Sequence, residues 1–200
     1  MQRRLIVLAT LAVGLAALGY MQFVGLNRDL LTGRMPKLVE VERDIESRFT
    51  EIGHTNPKIV AEKIAQGKND DIVLIDVREE AEYAVSRLPG AIRVQPGDTL
   101  QNLQSKLAGR EVGRTVLFYC SVGERSSRLA MRAKDQLLIA GAKDVQNLKG
   151  GIFRWHNQSR SLVNGSGTTD YVHPFNSEWG KLVKRQSKTR YKSSSPVQGE

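Results

Sequence analysis

The hydrophobic pattern begins with a run of 22 uncharged and mostly apolar residues, Leu5 to Leu26. A helix of about 20 such residues is long enough to cross the hydrocarbon core of a bilayer. Residues 1–4, just before it, contain Arg3 and Arg4, as signal peptides and signal anchors do. The apolar run continues past the small residues that offer a cleavage site, so the sequence favours a retained transmembrane anchor over a cleaved signal peptide.

The charges on the two sides of this segment favour opposite orientations. Arg3 and Arg4 favour an amino terminus that stays in the cytoplasm, which places the rest of the chain in the periplasm of a bacterium. The basic residues after the segment favour the reverse topology: Arg28, Arg34, Lys37 and Arg43. We expect a single-pass membrane protein with a periplasmic domain, and the cytoplasmic side remains the second possibility.

After the apolar run the pattern becomes amphipathic and then alternates. Residues 27–54 predict a linker helix, because their apolar positions recur at helical spacing. Strands are predicted at 72–75, 91–94, 115–119 and 144–148, and helices at 58–66, 79–85, 99–107, 126–140 and 152–157. Strands that alternate with helices predict an α/β domain with a parallel sheet covered on both faces.

The pattern changes again beyond residue 158. Residues 159–184 contain several aromatic side chains, and we expect them to pack back on the domain as a C-terminal extension. Residues 185–200 are polar and basic, which predicts a disordered tail.

The formal net charge of +9 raises the question of an anionic partner. Much of the excess lies in the last twenty residues, which offer little aromatic material for stacking on bases. We therefore expect no nucleic-acid partner and interpret the basic tail as a solvated segment near a membrane. The three histidines are too scattered for a ligand cluster, so we expect no metal and no cofactor.

Cys120, the one cysteine of the chain, lies in the most informative stretch of the sequence. It follows a predicted buried strand, where open α/β sheets place their ligand sites. The N–H groups of the short loop, the amino terminus of a helix predicted to start at Ser126, and Arg125 all favour a thiolate. The same cradle suits an anion such as a persulfide. A structural core cysteine would need neither Gly123 nor Arg125 directly after it.

Four motifs, in this order, resemble a rhodanese domain over about residues 55–158. They are Asp76-Val77-Arg78-Glu79, Leu88-Pro89-Gly90-Ala91-Ile92, the Cys120 loop, and Asn147-Leu148-Lys149-Gly150-Gly151. The resemblance implies a five-stranded parallel sheet and a ping-pong sulfurtransferase. Cys120 would take sulfur from a small sulfur anion such as thiosulfate, or from a persulfide donor, and a thiol or cyanide acceptor would then remove it.

The resemblance also implies roles for the residues around the cysteine. The loop expected to bind substrate through its backbone amides comprises Ser121, Val122, Gly123, Glu124, Arg125 and Ser126. Arg125 would also help to position an anionic donor. Asp76 and Arg78 are expected to brace the loop as an ion pair rather than to contact substrate. Glu124 does not suit an anion-binding loop, since a negative charge at the rim of the site would disfavour binding of free thiosulfate.

Two other hypotheses remain. Related folds that bind phosphate or arsenate use a larger loop with its arginine one position later, so the shorter spacing from Cys120 to Arg125 favours sulfur. The second hypothesis is a rhodanese-fold module that binds sulfur or docks a partner with little turnover. A Cys120→Ser variant separates this module from the enzyme, because the cellular role of the module would survive the change.

Overall fold

The computed structural model describes residues 36–67 and 69–193. The n-region at 1–4 and the predicted anchor at 5–26 lie outside the described residues. Within the described ranges, no helix is both long enough and apolar enough to span a bilayer.

The centre of the fold is a parallel sheet of five strands in the order β1-β5-β4-β2-β3. The strands are β1 (Gly53–Thr55), β2 (Ile72–Asp76), β3 (Ile92–Arg93), β4 (Thr115–Tyr119) and β5 (Asp144–Leu148). The inner strands β2 and β4 consist almost entirely of buried residues, as expected when helices cover both faces of a sheet. All four pairings are parallel, so the carboxyl ends of the strands share one edge.

Six helices accompany the sheet in the described part of the chain up to residue 157. They are α1 (Leu38–Arg48), α2 (Pro57–Ala65), α3 (Glu80–Val85), α4 (Leu100–Leu107), α5 (Glu124–Ile139) and α6 (Gly151–Asn157). Local sequence explains the start of α2. Asn56 caps α2 by accepting a hydrogen bond from the Lys58 N–H at 2.9 Å, and Pro57 occupies the first helical position.

The predicted linker helix over 27–54 needs correction at its carboxyl end. Helix α1 ends at Arg48, and residues Gly53–Thr55 form an edge strand that pairs with β5. This strand escaped prediction because three residues with no alternating apolar pattern carry too little signal, and pairing with β5 determines their conformation. Leu38, Ile45 and Phe49 are buried in the main hydrophobic core, so the described α1 is part of the domain.

The residues beyond α6 form a hairpin of β6 (Leu162–Asn164) and β7 (Gly167–Thr169), followed by a short helix α7 (Ser177–Gly180). Val172, Leu182 and Val183 join the main core, which explains why this extension lies against the domain.

The predicted disordered tail over 185–200 also needs correction. Residues Gln186–Lys188 form a 3₁₀ turn, the Val172 N–H donates to Lys188 O at 2.9 Å, and the Arg190 N–H donates to Val172 O at 3.0 Å. The Arg190 guanidinium lies 3.2 Å from the ring centroid of Tyr171. These backbone bonds and this cation–π contact order the segment despite its polar composition. Residues 194–200 lie outside the described part.

Candidate active site

Cys120 lies at the carboxyl end of β4 and is 1% exposed. Its sulfur accepts a hydrogen bond from the Gly123 N–H at 3.2 Å. Gly123 has φ +111°, a backbone conformation that a residue with a Cβ rarely adopts. Helix α5 begins at Glu124, two residues before the predicted start at Ser126, so only residues 121–123 separate the cysteine from the helix.

The loop is held from behind by the amino terminus of α6. The Ile152 N–H donates to Cys120 O at 2.9 Å, and the Phe153 N–H donates to Ser121 O at 3.0 Å. Gly151 makes this approach possible, since a Cβ at its position would lie 2.7 Å from Ser121 O. These bonds use carbonyl groups of the loop, so they do not compete with the hydrogen bond from the Gly123 N–H to the sulfur.

A second brace connects the loop to β5. Ser126, in the first turn of α5, donates from its hydroxyl to Asn147 Oδ1 at 2.7 Å. A Cβ at Gly123 would lie 3.0 Å from Asn147 Nδ2, so the asparagine side chain packs directly on the loop glycine. Ser126 therefore lies in the predicted binding loop but uses its side chain to hold the loop in place.

Arg125 is tied to a carboxylate that the sequence did not reveal. Its guanidinium makes two hydrogen bonds of 2.8 Å with Glu82, and its Nη2 donates to Ser121 Oγ at 3.0 Å. Ser121 in turn donates to Glu82 Oε1 at 2.9 Å. The positive charge predicted for the sulfur site is therefore shared with a carboxylate that is only 2% exposed.

The position of Glu82 follows from the local structure of α3. It is the third residue of that helix, where its carboxylate also accepts the backbone N–H of Glu79 at 3.1 Å in a capping box. Burial alone would raise the pKa of the Glu82 carboxyl, but the hydrogen bonds and the charge of Arg125 outweigh burial and hold this pKa below its ordinary value. Glu82 is therefore an anion in the folded protein.

Glu124 does not present the free negative charge that we expected at the rim. Its carboxylate binds the Arg48 guanidinium at the end of α1, with one contact of 3.1 Å, and accepts Arg128 Nε at 2.8 Å. Two arginine side chains thus neutralise it, because the fold brings α1 to the first turn of α5. The expected repulsion of thiosulfate loses its basis.

Asp76 and Arg78 form a fully buried, bidentate ion pair with distances of 2.8 and 2.6 Å. Arg78 also donates to Ser86 O at 2.6 Å, and the Tyr119 hydroxyl donates to Asp76 Oδ2 at 2.7 Å. The pair thereby connects the ends of β2, β4 and α3 beneath the cysteine loop. Its contacts are those of an internal brace.

The C-terminal extension reaches this site, which sequence reasoning did not predict. The Phe175 ring lies over the Arg125 guanidinium at 4.7 Å. The Phe175 N–H donates to His173 Nδ1 at 3.0 Å. Burial lowers the pKa of His173, and the nearby charges of Arg78 and Arg125 lower it further, with Glu82 acting in the opposite sense. The aromatic residues over 171–179 predicted that this segment packs on the domain, but they did not indicate that Arg125 would be the contact.

Metal-binding side chains do not come together in the described ranges: no group of three His, Cys, Asp or Glu residues is placed to hold an ion. The site presents the buried thiol of Cys120 beside the Gly123 N–H, near the Arg125–Glu82 pair.

Comparison with known proteins gives three informative relatives. A sulfurtransferase of Allochromatium vinosum is 28% identical over 112 residues, which cover 55% of this chain and 97% of that protein. The adenylyltransferase and sulfurtransferase UBA4 of Kluyveromyces lactis is 35% identical over 95 residues, covering 44% of this chain and 20% of that protein. A tRNA uridine(34) hydroxylase of Bacillus velezensis is 28% identical over 132 residues, covering 65% of this chain and 37% of that protein.

These names share a domain rather than one activity, and this chain spans only a minor part of two of the three relatives. The family match itself covers residues 56–158, just over half of the chain. It contains the parallel sheet from β2 to β5, the Cys120 loop and helix α6. The chain belongs to the family of rhodanese-like domains.

Proposed function

We propose that this protein is a sulfurtransferase that carries a sulfane sulfur as a persulfide on Cys120. The observation that carries the proposal is the hydrogen bond from the Gly123 N–H to the cysteine sulfur, in a loop of three residues between β4 and α5. A sulfur anion in this position is stabilised by the Gly123 N–H and by the amino terminus of a helix of 16 residues.

The reaction has two steps that balance without a cofactor. The Cys120 thiolate attacks the outer sulfur of thiosulfate, the bond between the two sulfur atoms of the donor breaks, and sulfite leaves with the electron pair. A persulfide donor reacts in the same way and leaves as a thiolate. An acceptor thiolate or cyanide then attacks the outer sulfur of the Cys120 persulfide and regenerates the Cys120 thiolate.

Two features favour sulfur over phosphate as the transferred group. The loop is short, and the Arg125 fork is occupied by Glu82 and Ser121, so it is not free to hold a tetrahedral oxyanion with both arms. The neutralised Glu124 removes an electrostatic objection to thiosulfate. Thiosulfate and persulfides therefore both remain suitable donors.

Intact-mass spectrometry of a chain from Asn27 to Glu200 tests the proposal. We expect a gain of one sulfur atom at Cys120 on incubation with thiosulfate or a persulfide, and its removal by cyanide. A Cys120→Ser variant should gain nothing. Failure of the folded, reduced wild type to gain sulfur from either donor would instead support a rhodanese-fold binding module with little turnover.

We also propose that residues 5–26 anchor the domain in a membrane and that the domain is periplasmic. The support is the length of the uncharged run and Arg3 and Arg4 before it. A fusion of alkaline phosphatase after Lys192 tests the orientation, because this enzyme is active only outside the cytoplasm. An inactive fusion of normal abundance would overturn the periplasmic placement.

A further inference from the structure

Phe175 combines two features that are unusual for an aromatic residue. Its backbone has φ +67°, a left-handed conformation that is unfavourable for an aromatic residue, and its side chain is 40% exposed. A strained backbone that leaves an aromatic ring in contact with solvent gains little from burial. Such strain persists only where the surrounding structure imposes it, and it is concentrated at functional sites.

The surrounding structure does hold this turn firmly. The Phe175 N–H donates to the buried His173 ring, and the Asn176 N–H donates to Pro174 O at 2.9 Å. Asn176 then caps α7 by accepting the Trp179 N–H at 2.9 Å. The position of the Phe175 ring is therefore fixed by a hydrogen-bonded turn rather than by the ring's own packing.

The ring is connected to the Cys120 loop through Arg125. Phe175 stacks on Arg125, and Arg125 contacts the hydroxyl of Ser121, the residue after Cys120. Both arms of the Arg125 fork are occupied by Glu82 and Ser121, so the hydrogen bonds that would attract a small hydrophilic anion are already in use. The face of the Arg125 guanidinium on the side of Phe175 is covered by the apolar ring.

We propose that Phe175 is a specificity-determining residue for the second half-reaction. Its ring forms an aromatic wall beside the Cys120 loop and selects acceptor thiols that carry apolar groups next to their sulfur, such as a cysteine between apolar residues of a peptide, over small hydrophilic acceptors such as cyanide. This inference rests on the proposed sulfur transfer. Phe175 lies outside residues 56–158, so the extension adds this preference to the family fold.

The test compares acceptors after Cys120 has been loaded with sulfur from thiosulfate. The acceptors are cyanide, a blocked tripeptide with leucine on each side of its cysteine, and the same tripeptide with serine in place of leucine. We expect the wild type to transfer sulfur faster to the leucine peptide than to the serine peptide. Phe175→Gly should lower the second-order rate constant for the leucine peptide about tenfold, as for the loss of one apolar contact, and leave that for cyanide unchanged.

The variants separate the ring from the backbone. Glycine adopts the left-handed conformation without strain, and Phe175→Asn, which tolerates it, should reproduce the effect of Phe175→Gly. Phe175→Tyr keeps the ring and should keep the preference. Ile139→Asn is the control for the loss of an exposed apolar side chain, since Ile139 is 87% exposed and lies about 21 Å along α5 from Arg125.

The outcomes distinguish this inference from the proposed function. Equal changes for cyanide and both peptides, or no change in the preference with Phe175→Gly and Phe175→Asn, would overturn the role of Phe175 while the persulfide cycle stands. A wild type that gains no sulfur at Cys120 would overturn both.

Discussion

Glu82 holds a carboxylate against Arg125 and Ser121, directly beneath the loop that begins at Cys120. An unpaired carboxylate there would oppose every anion of the proposed cycle, and an unpaired Arg125 would add a full positive charge. As a bidentate pair they join α3 to α5 next to the loop, and each charge is compensated by the other. The pair also links the stability of the fold to pH.

The sign of this linkage follows from the lowered pKa of Glu82. Because the folded protein holds the carboxyl below its ordinary value of 4.5, the stabilisation is complete above that pH and is lost as the pH falls through the folded-state pKa. We expect Glu82→Gln to lower the free energy of unfolding at pH 7 by about 3 kcal/mol, since it leaves Arg125 without its buried partner. Urea unfolding between pH 7 and pH 3 measures this.

The same measurement contains its control. The wild type should lose more stability than Glu82→Gln on acidification, so the difference between them should shrink. Glu62→Gln breaks a surface ion pair with Lys58 and should change the stability by less than about 0.5 kcal/mol at any pH. A constant difference between wild type and Glu82→Gln at every pH would contradict the linkage.

Arg125 has a catalytic prediction of its own. Arg125→Ala leaves the Glu82 carboxylate unpaired near the loop, so we expect kcat/KM for thiosulfate to fall about 100-fold. Arg125→Lys retains the charge but not the fork, and should lose about tenfold. The double variant Glu82→Gln with Arg125→Ala should recover part of the loss, because the unpaired carboxylate at position 82 is then gone. A double variant slower than Arg125→Ala would show that the carboxylate is not the cause.

At the scale of elements, the contact between α6 and the cysteine loop is closer than any side chain would allow. Gly151 has φ +53°, and a Cβ there would lie 2.7 Å from Ser121 O and still closer to Cys120 O. The two backbone bonds from Ile152 and Phe153 to the loop depend on this approach. Gly151 therefore helps to hold the loop in place by allowing this close approach, although its own atoms take no part in the chemistry.

Gly151→Ala should accordingly destabilise the fold and slow sulfur loading together. We expect a loss of about 3 kcal/mol, from left-handed strain and from overpacking against the loop. Gly113→Ala is the matched control, since Gly113 has φ +72° and a Cβ added there would meet nothing within 4 Å, so it should lose only about 1 kcal/mol. Normal loading by a folded Gly151→Ala protein would show that the loop tolerates displacement of α6.

The elements differ in how well their sequence specified them. The continuous apolar runs predicted strands at 72–75 and 115–119, and the structure has them at Ile72–Asp76 and Thr115–Tyr119, because local pattern and burial agree there. Gly123 has φ +111°, a conformation that glycine adopts without strain, so the residue type and the turn of the loop agree there as well. Glu82, however, meets Arg125 across 43 positions of sequence, a tertiary contact that no local pattern encodes.

At the scale of the whole molecule, segments on both sides of the family domain contribute to its site. The extension brings Phe175 to Arg125. Helix α1, which precedes the family domain, makes three ion pairs with it. Arg48 pairs with Glu124 of α5, Glu46 with Lys149 in the turn after β5, and Glu42 with Arg154 of α6. Helix α1 is therefore connected both to α5, which begins directly after the Cys120 loop, and to α6, which donates hydrogen bonds to the loop.

This arrangement predicts that α1 is needed for both stability and sulfur transfer. A chain that starts at Thr50 loses the burial of Leu38, Ile45 and Phe49, and we expect it to be about 4 kcal/mol less stable than a chain that starts at Pro36. Arg48→Gln keeps those apolar contacts and should lose only about 1 kcal/mol, but it removes one of the two arginines that neutralise Glu124 and should therefore raise KM for thiosulfate. Urea unfolding and steady-state kinetics on the three proteins separate the two effects. Equal stability of the chains from Pro36 and Thr50 would mean that α1 serves only as a linker, and an unchanged KM in Arg48→Gln would mean that its ion pair with Glu124 has no bearing on the donor.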